Sequence, residues 1–109
     1  MQFNKLVRDL IPDIIEAEGK KAGIETLSET DFRRALLEKL VEEAREAQSA
    51  KPDELVLELA DVLEVLDAVM GAFGLARDEV LSMQKERCET RGGFDKRIQL
   101  VSVEAKTKA

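Results

Sequence analysis

Histidine, tryptophan and tyrosine are absent from this 109-residue chain, and cysteine occurs once, as Cys88. Without histidine there is no His-based zinc site, no Ser–His or Cys–His nucleophile pair, and no imidazole acid–base chemistry. Any catalysis falls to carboxylates, lysine, arginine or a water held by a metal ion. A lone cysteine excludes an intrachain disulfide. The four phenylalanines, Phe3, Phe32, Phe73 and Phe94, are the only rings able to stack on a base. No run of 18 uncharged apolar residues and no signal-peptide pattern is present, so the expectation is a soluble cytoplasmic protein without a membrane partner. Bases are outnumbered by acids, 17 to 23, for a formal charge of −6. That balance argues against binding a nucleic acid polymer through a broad basic face. An acidic chain that acts on anionic phosphates needs cations as intermediaries.

Apolar residues make up 44% of the chain and charged ones 37%. Such a mixture, rich in Ala, Glu, Lys, Leu and Arg, points to helices. The length suits one all-α domain over residues 1–103, with 104–109 as a frayed tail. A domain this small buries only about 60–70% of its unfolded surface. Pairing into a homodimer, or a dimer of dimers, is therefore expected.

Four helices can be placed. Residues 1–7 read as mixed and extended. The first helix is expected over 8–18, with Pro12 in its opening turns and Gly19 just past its end. Ser28 or Thr30 can cap a second helix running to about Ser49. Its apolar positions Phe32, Leu36, Leu37, Leu40, Val41 and Ala44 recur at three and four residues. Lys51-Pro52-Asp53-Glu54 opens a third helix that stops at Gly74, and a fourth is expected over 77–90. Gly92-Gly93 reads as its stop. Ile98, Leu100, Val101 and Val103 partly alternate, which predicts a short C-terminal strand against the N-terminal segment. The architecture expected is an antiparallel helical hairpin, completed by a second subunit into a four-helix-type bundle.

The third helix carries the most information. Between Pro52 and Ala76 stand six acids, Asp53, Glu54, Glu58, Asp61, Glu64 and Asp67, and no Lys or Arg. Most of the other residues there are apolar, and a helix apolar nearly all round is usually buried. Buried acids are costly unless paired or bound to metal. Glu58 and Asp61 lie about 60° apart, one turn along the axis. The second helix offers Glu42, Glu43 and Glu46, with Glu43 and Glu46 at i, i+3. Set side by side, the helices present Glu43 and Glu46 opposite Glu58 and Asp61. Four oxygen donors and no nitrogen or sulfur suit Mg²⁺, or Mn²⁺, which keep waters and accept phosphates. Taken singly, each acid pair reads first as a solvated helix face; it is the two facing pairs together, with no base on the third helix, that raise the metal reading. Glu64 and Asp67 drift off the Glu58 face, and Cys88 reads as a thiol without a role.

Glu42-Glu43-x-x-Glu46 and Glu58-x-x-Asp61 resemble the EExxE…ExxD signature of the all-α NTP pyrophosphatase superfamily, often called MazG-like. Asn4-Lys5-Leu6-Val7-Arg8-Asp9-x-Ile11-Pro12 and Lys85-x₅-Arg91-Gly92-Gly93-Phe94 are similar to its house-cleaning, phosphoribosyl-ATP pyrophosphohydrolase-like branch. The resemblance spans about residues 3–101. It implies hydrolysis of a nucleoside triphosphate between the α and β phosphates, to monophosphate and pyrophosphate. It implies Glu43, Glu46, Glu58 and Asp61 as Mg²⁺ ligands, with Glu42 beside the attacking water as general base or supporting group. Arginine forks and lysines suit phosphate oxygens. Lys5, Arg8, Lys85 and Arg91, which lie in the resembling strings, are the phosphate-binding candidates; Arg87, Lys96 and Arg97 lie close by in the sequence.

Two other functions fit parts of the pattern. Phosphoribosyl-ATP hydrolysis is the rival within the same class. A non-catalytic acidic helical interaction module explains the charge but not the bases in the resembling strings. A ferritin-like di-iron centre usually needs Glu-x-x-His pairs, and histidine is lacking.

Overall fold

The computed structural model describes residues 4–107, and all its regular structure among them is helical: α1 (Ile11–Ala17), α2 (Glu29–Ser49), α3 (Leu55–Ala72) and α4 (Arg77–Arg91). Phe3 and the last two residues of the tail lie outside the described residues. The chain packs as two units, Met1–Arg77 and Asp78–Ala109. No helix among the described residues is long and apolar enough to cross a membrane.

Helix boundaries follow local chemistry. α1 begins at Ile11, three residues later than the sequence predicts, and Pro12 is the reason. A helix begun at Arg8 would place Pro12 where its missing N–H is needed by the Arg8 carbonyl and where its ring would strike that carbonyl. Instead the Ile11 N–H closes a turn on the Arg8 carbonyl at 3.1 Å. α2 starts as expected, with Ser28 extended and its Oγ accepting the Asp31 N–H at 3.2 Å. Ser28→Ala removes that cap and is expected to cost about 1 kcal/mol. A urea denaturation midpoint unchanged from the wild type would show that the cap contributes nothing. α3 ends in a two-bond lock: Leu75 N–H donates to the Met70 carbonyl at 2.8 Å and Gly74 N–H to the Gly71 carbonyl at 3.3 Å. Gly74 sits at φ +67, the left-handed position this ending requires.

α2 and α3 form an antiparallel hairpin across residues 50–54. Arg33 fastens its open end. Its Nε donates to the Ala72 carbonyl at 2.8 Å, Nη2 meets Glu29 at 2.6 Å, and the guanidinium lies 5.3 Å from the Phe73 ring centre. A cation on the last carbonyls of α3 also complements the helix dipole. The core of the hairpin centres on Leu36 and Val65, 4% and 8% exposed.

Two expectations need correction. α3 is not buried all round: α2 packs on one face of it, and Val56, Leu57, Leu59 and Leu63 stand exposed. Nor is there a C-terminal strand among the described residues. Phe94, Ile98, Leu100, Val101 and Val103 are exposed on irregular backbone. A strand needs a ladder partner for its N–H and C=O groups. No such ladder is present among the described residues.

Candidate functional site

The hairpin brings acids from two helices together. A turn of α2 carries Glu42, Glu43 and Glu46, and the first turns of α3 carry Glu58 and Asp61. Antiparallel packing sets these stretches level. Glu43, Glu58 and Asp61, all half-buried, each offer a carboxylate oxygen within 4.8 Å of the others'. Of the four ligands expected from the sequence, Glu46 is the one outside this cluster, and its side chain is exposed.

Crowding leaves an electrostatic mark. The Glu58 carboxyl is raised above its ordinary range, first by loss of solvent and then by the charges of Asp61, Glu46, Glu43 and Glu54. So Glu46, though outside the cluster, is close enough to be felt there. Glu42 behaves in the opposite way. A hydrogen bond from Lys5 is the main cause holding its pKa below the usual carboxylate range, with Lys39 adding to it against partial desolvation. The Lys5 ammonium is raised in return, chiefly by that same bond.

The cations that answer these acids come from elsewhere in the chain. Lys5 Nζ lies 3.0 Å from Glu42 Oε1. Arg8 Nη2 lies 2.7 Å from Asp61 Oδ1, and its Nη1 is 4.0 Å from Glu64. Arg77 reaches back to Asp67 at 3.1 Å. Lys39, not singled out from the sequence, stands 3.6 Å from Glu42 and 3.5 Å from Glu43. The signal was there: Lys39 precedes Glu42 and Glu43 by three and four residues, the spacing at which helix side chains meet. Lys5 and Arg8, expected to bind phosphate, are thus seated on the acids.

Such exposed ion pairs contribute about 0–1 kcal/mol to stability. Lys5 and Arg8 also place positive charge where any cation would have to approach the acids. Arg8→Gln removes a positive charge beside Asp61, worth about 1 kcal/mol at 4 Å in water. Mn²⁺ affinity, read by titration calorimetry without nucleotide, is expected to rise roughly fivefold, which is that same energy. Weaker Mn²⁺ binding in the variant would mean that Arg8 supports the acids rather than competing for them.

The remaining candidates belong to the unit Asp78–Ala109. Lys85 is on α4 and Arg91 is its last residue. Gly92, at φ +86, donates its N–H to the Cys88 carbonyl at 2.8 Å, so the pair of glycines acts as a helix stop. Arg91, Lys96 and Arg97 line a shallow concavity on the turn that follows. Cys88 is exposed. Among the rings, Phe73 is engaged by Arg33, Phe32 is half-buried in the hairpin, and Phe94 is exposed.

No family model matches this chain. An uncharacterized protein of Mycolicibacterium smegmatis is similar to it, with 43% identity over 54 residues, which is 50% of this chain and 55% of that protein. The chain thus aligns with about half the length of that relative. No solved structure matches.

Proposed function

We propose that this protein is a Mg²⁺-dependent nucleotide pyrophosphohydrolase that splits nucleoside triphosphates into monophosphate and pyrophosphate. The observation that carries the reading is the meeting of Glu43, Glu58 and Asp61, from two helices, with carboxylate oxygens within 4.8 Å of one another. The resemblance of the acid strings to the MazG-like signature supports it.

All-oxygen donors at this spacing fit a hard divalent ion. Glu43, Glu58 and Asp61 would hold it, with Glu46 the nearest further carboxylate. When bound, such an ion neutralises phosphate charge and activates water. The chain's own residues set the rest. Glu42, one residue from Glu43, stays ionised at neutral pH because Lys5 and Lys39 favour its charged form. A carboxylate held low is a weak base, so its role is to orient water by accepting a hydrogen bond. Lys5 and Arg8 stand at the edge of the cluster, and their donors suit triphosphate oxygens that arrive there. One water is consumed, the anhydride bond between the α and β phosphorus breaks, and the bridging oxygen leaves with pyrophosphate. Removal of non-canonical nucleotides is the role we assign to this activity.

The test is a panel of canonical and modified nucleoside triphosphates, with phosphoribosyl-ATP included, assayed for pyrophosphate with Mg²⁺ and with EDTA. Pyrophosphate and monophosphate are expected, in the presence of Mg²⁺ only. Orthophosphate and a diphosphate would reassign the bond cleaved. Silence across the panel would favour a non-catalytic interaction module.

A further inference from the structure

We propose that Lys39 is a positioning residue of this site: its ammonium holds the carboxylates of Glu42 and Glu43 together on one side of α2, so that the group that orients water stays beside a group that holds the metal. The inference rests on the pyrophosphohydrolase reading and adds to it a residue that none of the resembling strings contains.

Helix geometry makes such a residue necessary. Successive residues on a helix diverge by about 100°, so Glu42 and Glu43 leave α2 in different directions. Glu43 follows the buried Leu36 by seven residues and lies within about 20° of it, on the stripe that faces α3. Glu42 is turned toward the edge of that stripe. Lys39, one turn earlier, falls between the two, about 60° from Glu42 and about 40° from Glu43. Helix side chains lean toward the N-terminus, so both carboxylates lean toward Lys39. Its Nζ lies 3.6 Å from Glu42 Oε2 and 3.5 Å from Glu43 Oε1. The other oxygen of Glu42, Oε1, is taken by Lys5 at 3.0 Å.

A solvated ion pair is the simpler account of a lysine beside two glutamates. Two observations set Lys39 apart from it. Its side chain is 22% exposed, against 59% for Lys5, 56% for Arg8, 39% for Arg33 and 59% for Arg77, so it is the most covered cation in the ion pairs of the described residues. The order of charges is also the weaker one for helix stability, since an acid four residues before a lysine stabilises more than an acid four residues after it.

Lys39 differs from Lys5 and Arg8 in how it is held. Those two reach the acids from irregular backbone before α1, across 37 and 53 residues. Their side chains are free to turn from carboxylates to arriving phosphate oxygens. Lys39 shares a rigid helix with Glu42 and Glu43, at the spacing that makes them neighbours. Once Lys5 is drawn away, Glu42 keeps Oε2 on Lys39 and has Oε1 free to accept a hydrogen bond from water. The same charge, 3.5 Å from Glu43, opposes any cation that comes to that carboxylate.

Lys39→Met keeps most of the stem and removes the charge, and it is expected to move two measurements in opposite directions. Mn²⁺ affinity, titrated without nucleotide, should rise at least about fivefold, the equivalent of one unit-charge repulsion at this distance. The kcat for pyrophosphate release should fall about 10–100-fold, the range for groups that orient metal ligands, while KM stays unchanged. A merely structural role would lower both. Lys39→Arg restores the charge at a contact that is neither a bidentate fork nor a ring stack, and should recover the wild-type Mn²⁺ affinity and most of kcat. Weaker Mn²⁺ binding in Lys39→Met overturns the inference, and so does an unchanged kcat. A raised KM at full kcat also overturns it, by making Lys39 a phosphate ligand. Circular dichroism checks the helix content of each variant, and Lys39→Gln takes the place of Lys39→Met where methionine unfolds the hairpin. A wild type that releases no pyrophosphate fails the pyrophosphohydrolase reading itself, and this inference with it. An active wild type with an equally active Lys39→Met fails the inference alone.

Discussion

Glu58→Gln is expected to abolish pyrophosphate release while leaving the metal-free protein at least as stable as the wild type. The reason is the sign of the Glu58 shift. Desolvation, followed by repulsion from Asp61, Glu46, Glu43 and Glu54, raises its folded pKa above the ordinary 4.5. The folded state then binds more protons than the unfolded chain between the two values, so the group's contribution to stability falls as pH rises through that window. Above it, ionised Glu58 is a standing penalty, and glutamine removes it. Below pH 4.5 the carboxyl is protonated in both states, and this advantage of the variant vanishes.

Metal reverses the order. An ion that binds the folded cluster stabilises by RT ln(1 + [L]/Kd), about 2.7 kcal/mol when free metal is 100 times Kd. For a domain of this size that is a rise in Tm of roughly 10–20 °C. Loss of the Glu58 ligand should shrink the rise. Activity should fall by at least about 100-fold, since even groups that only orient metal ligands are worth about 10–100-fold. Thermal melts of wild type and Glu58→Gln at pH 7, each with EDTA and with Mg²⁺, decide the matter. Glu104→Gln, in the exposed tail, serves as the control and should change neither response. Equal Mg²⁺ responses in wild type and Glu58→Gln would show that Glu58 is not a ligand.

The largest loss of stability is expected from Leu36→Ala. Leu36 is 4% exposed and, with Val65, forms the centre of the hairpin. Truncating a buried leucine costs about 2–5 kcal/mol, through lost transfer energy and the cavity left behind. Net stabilities of whole domains are only about 5–15 kcal/mol. A fall in Tm of roughly 10–30 °C follows. Ile24→Ala, at a position 73% exposed, should stay within about 0.5 kcal/mol of the wild type. Melts must be run at one protein concentration, because association would make Tm depend on it. Equal melting of Leu36→Ala and Ile24→Ala would place the core elsewhere.

Much of this molecule was legible in its sequence because much of it is local. The Ser28 cap, the Gly74 and Gly92 endings and the three-four spacing on α2 each depend on atoms a few residues apart. The acid trio was legible for a related reason. Glu58 and Asp61 share a face through helix geometry alone, and the short link between α2 and α3 leaves few ways to set Glu43 opposite them. The start of α1 was misjudged although its cause, Pro12, is also local. The position of proline within a helix depends on where the helix begins, and the sequence marks that start weakly.

What the sequence determined by itself, then, is the set of helices, their ends apart from the start of α1, and the pairing of acids at helical spacing, since backbone geometry and side-chain type fix these over short range. The tertiary structure alone decided which cations answer the acids. Arg8 reaches Asp61 across 53 residues and Lys5 reaches Glu42 across 37, and no periodicity encodes such distances. It also decided that Glu46 stands outside the cluster and that α3, apolar nearly all round, has one face covered and one open. Burial depends on which surfaces meet. A helix's sequence states how much apolar surface must be covered, and only packing states what covers it.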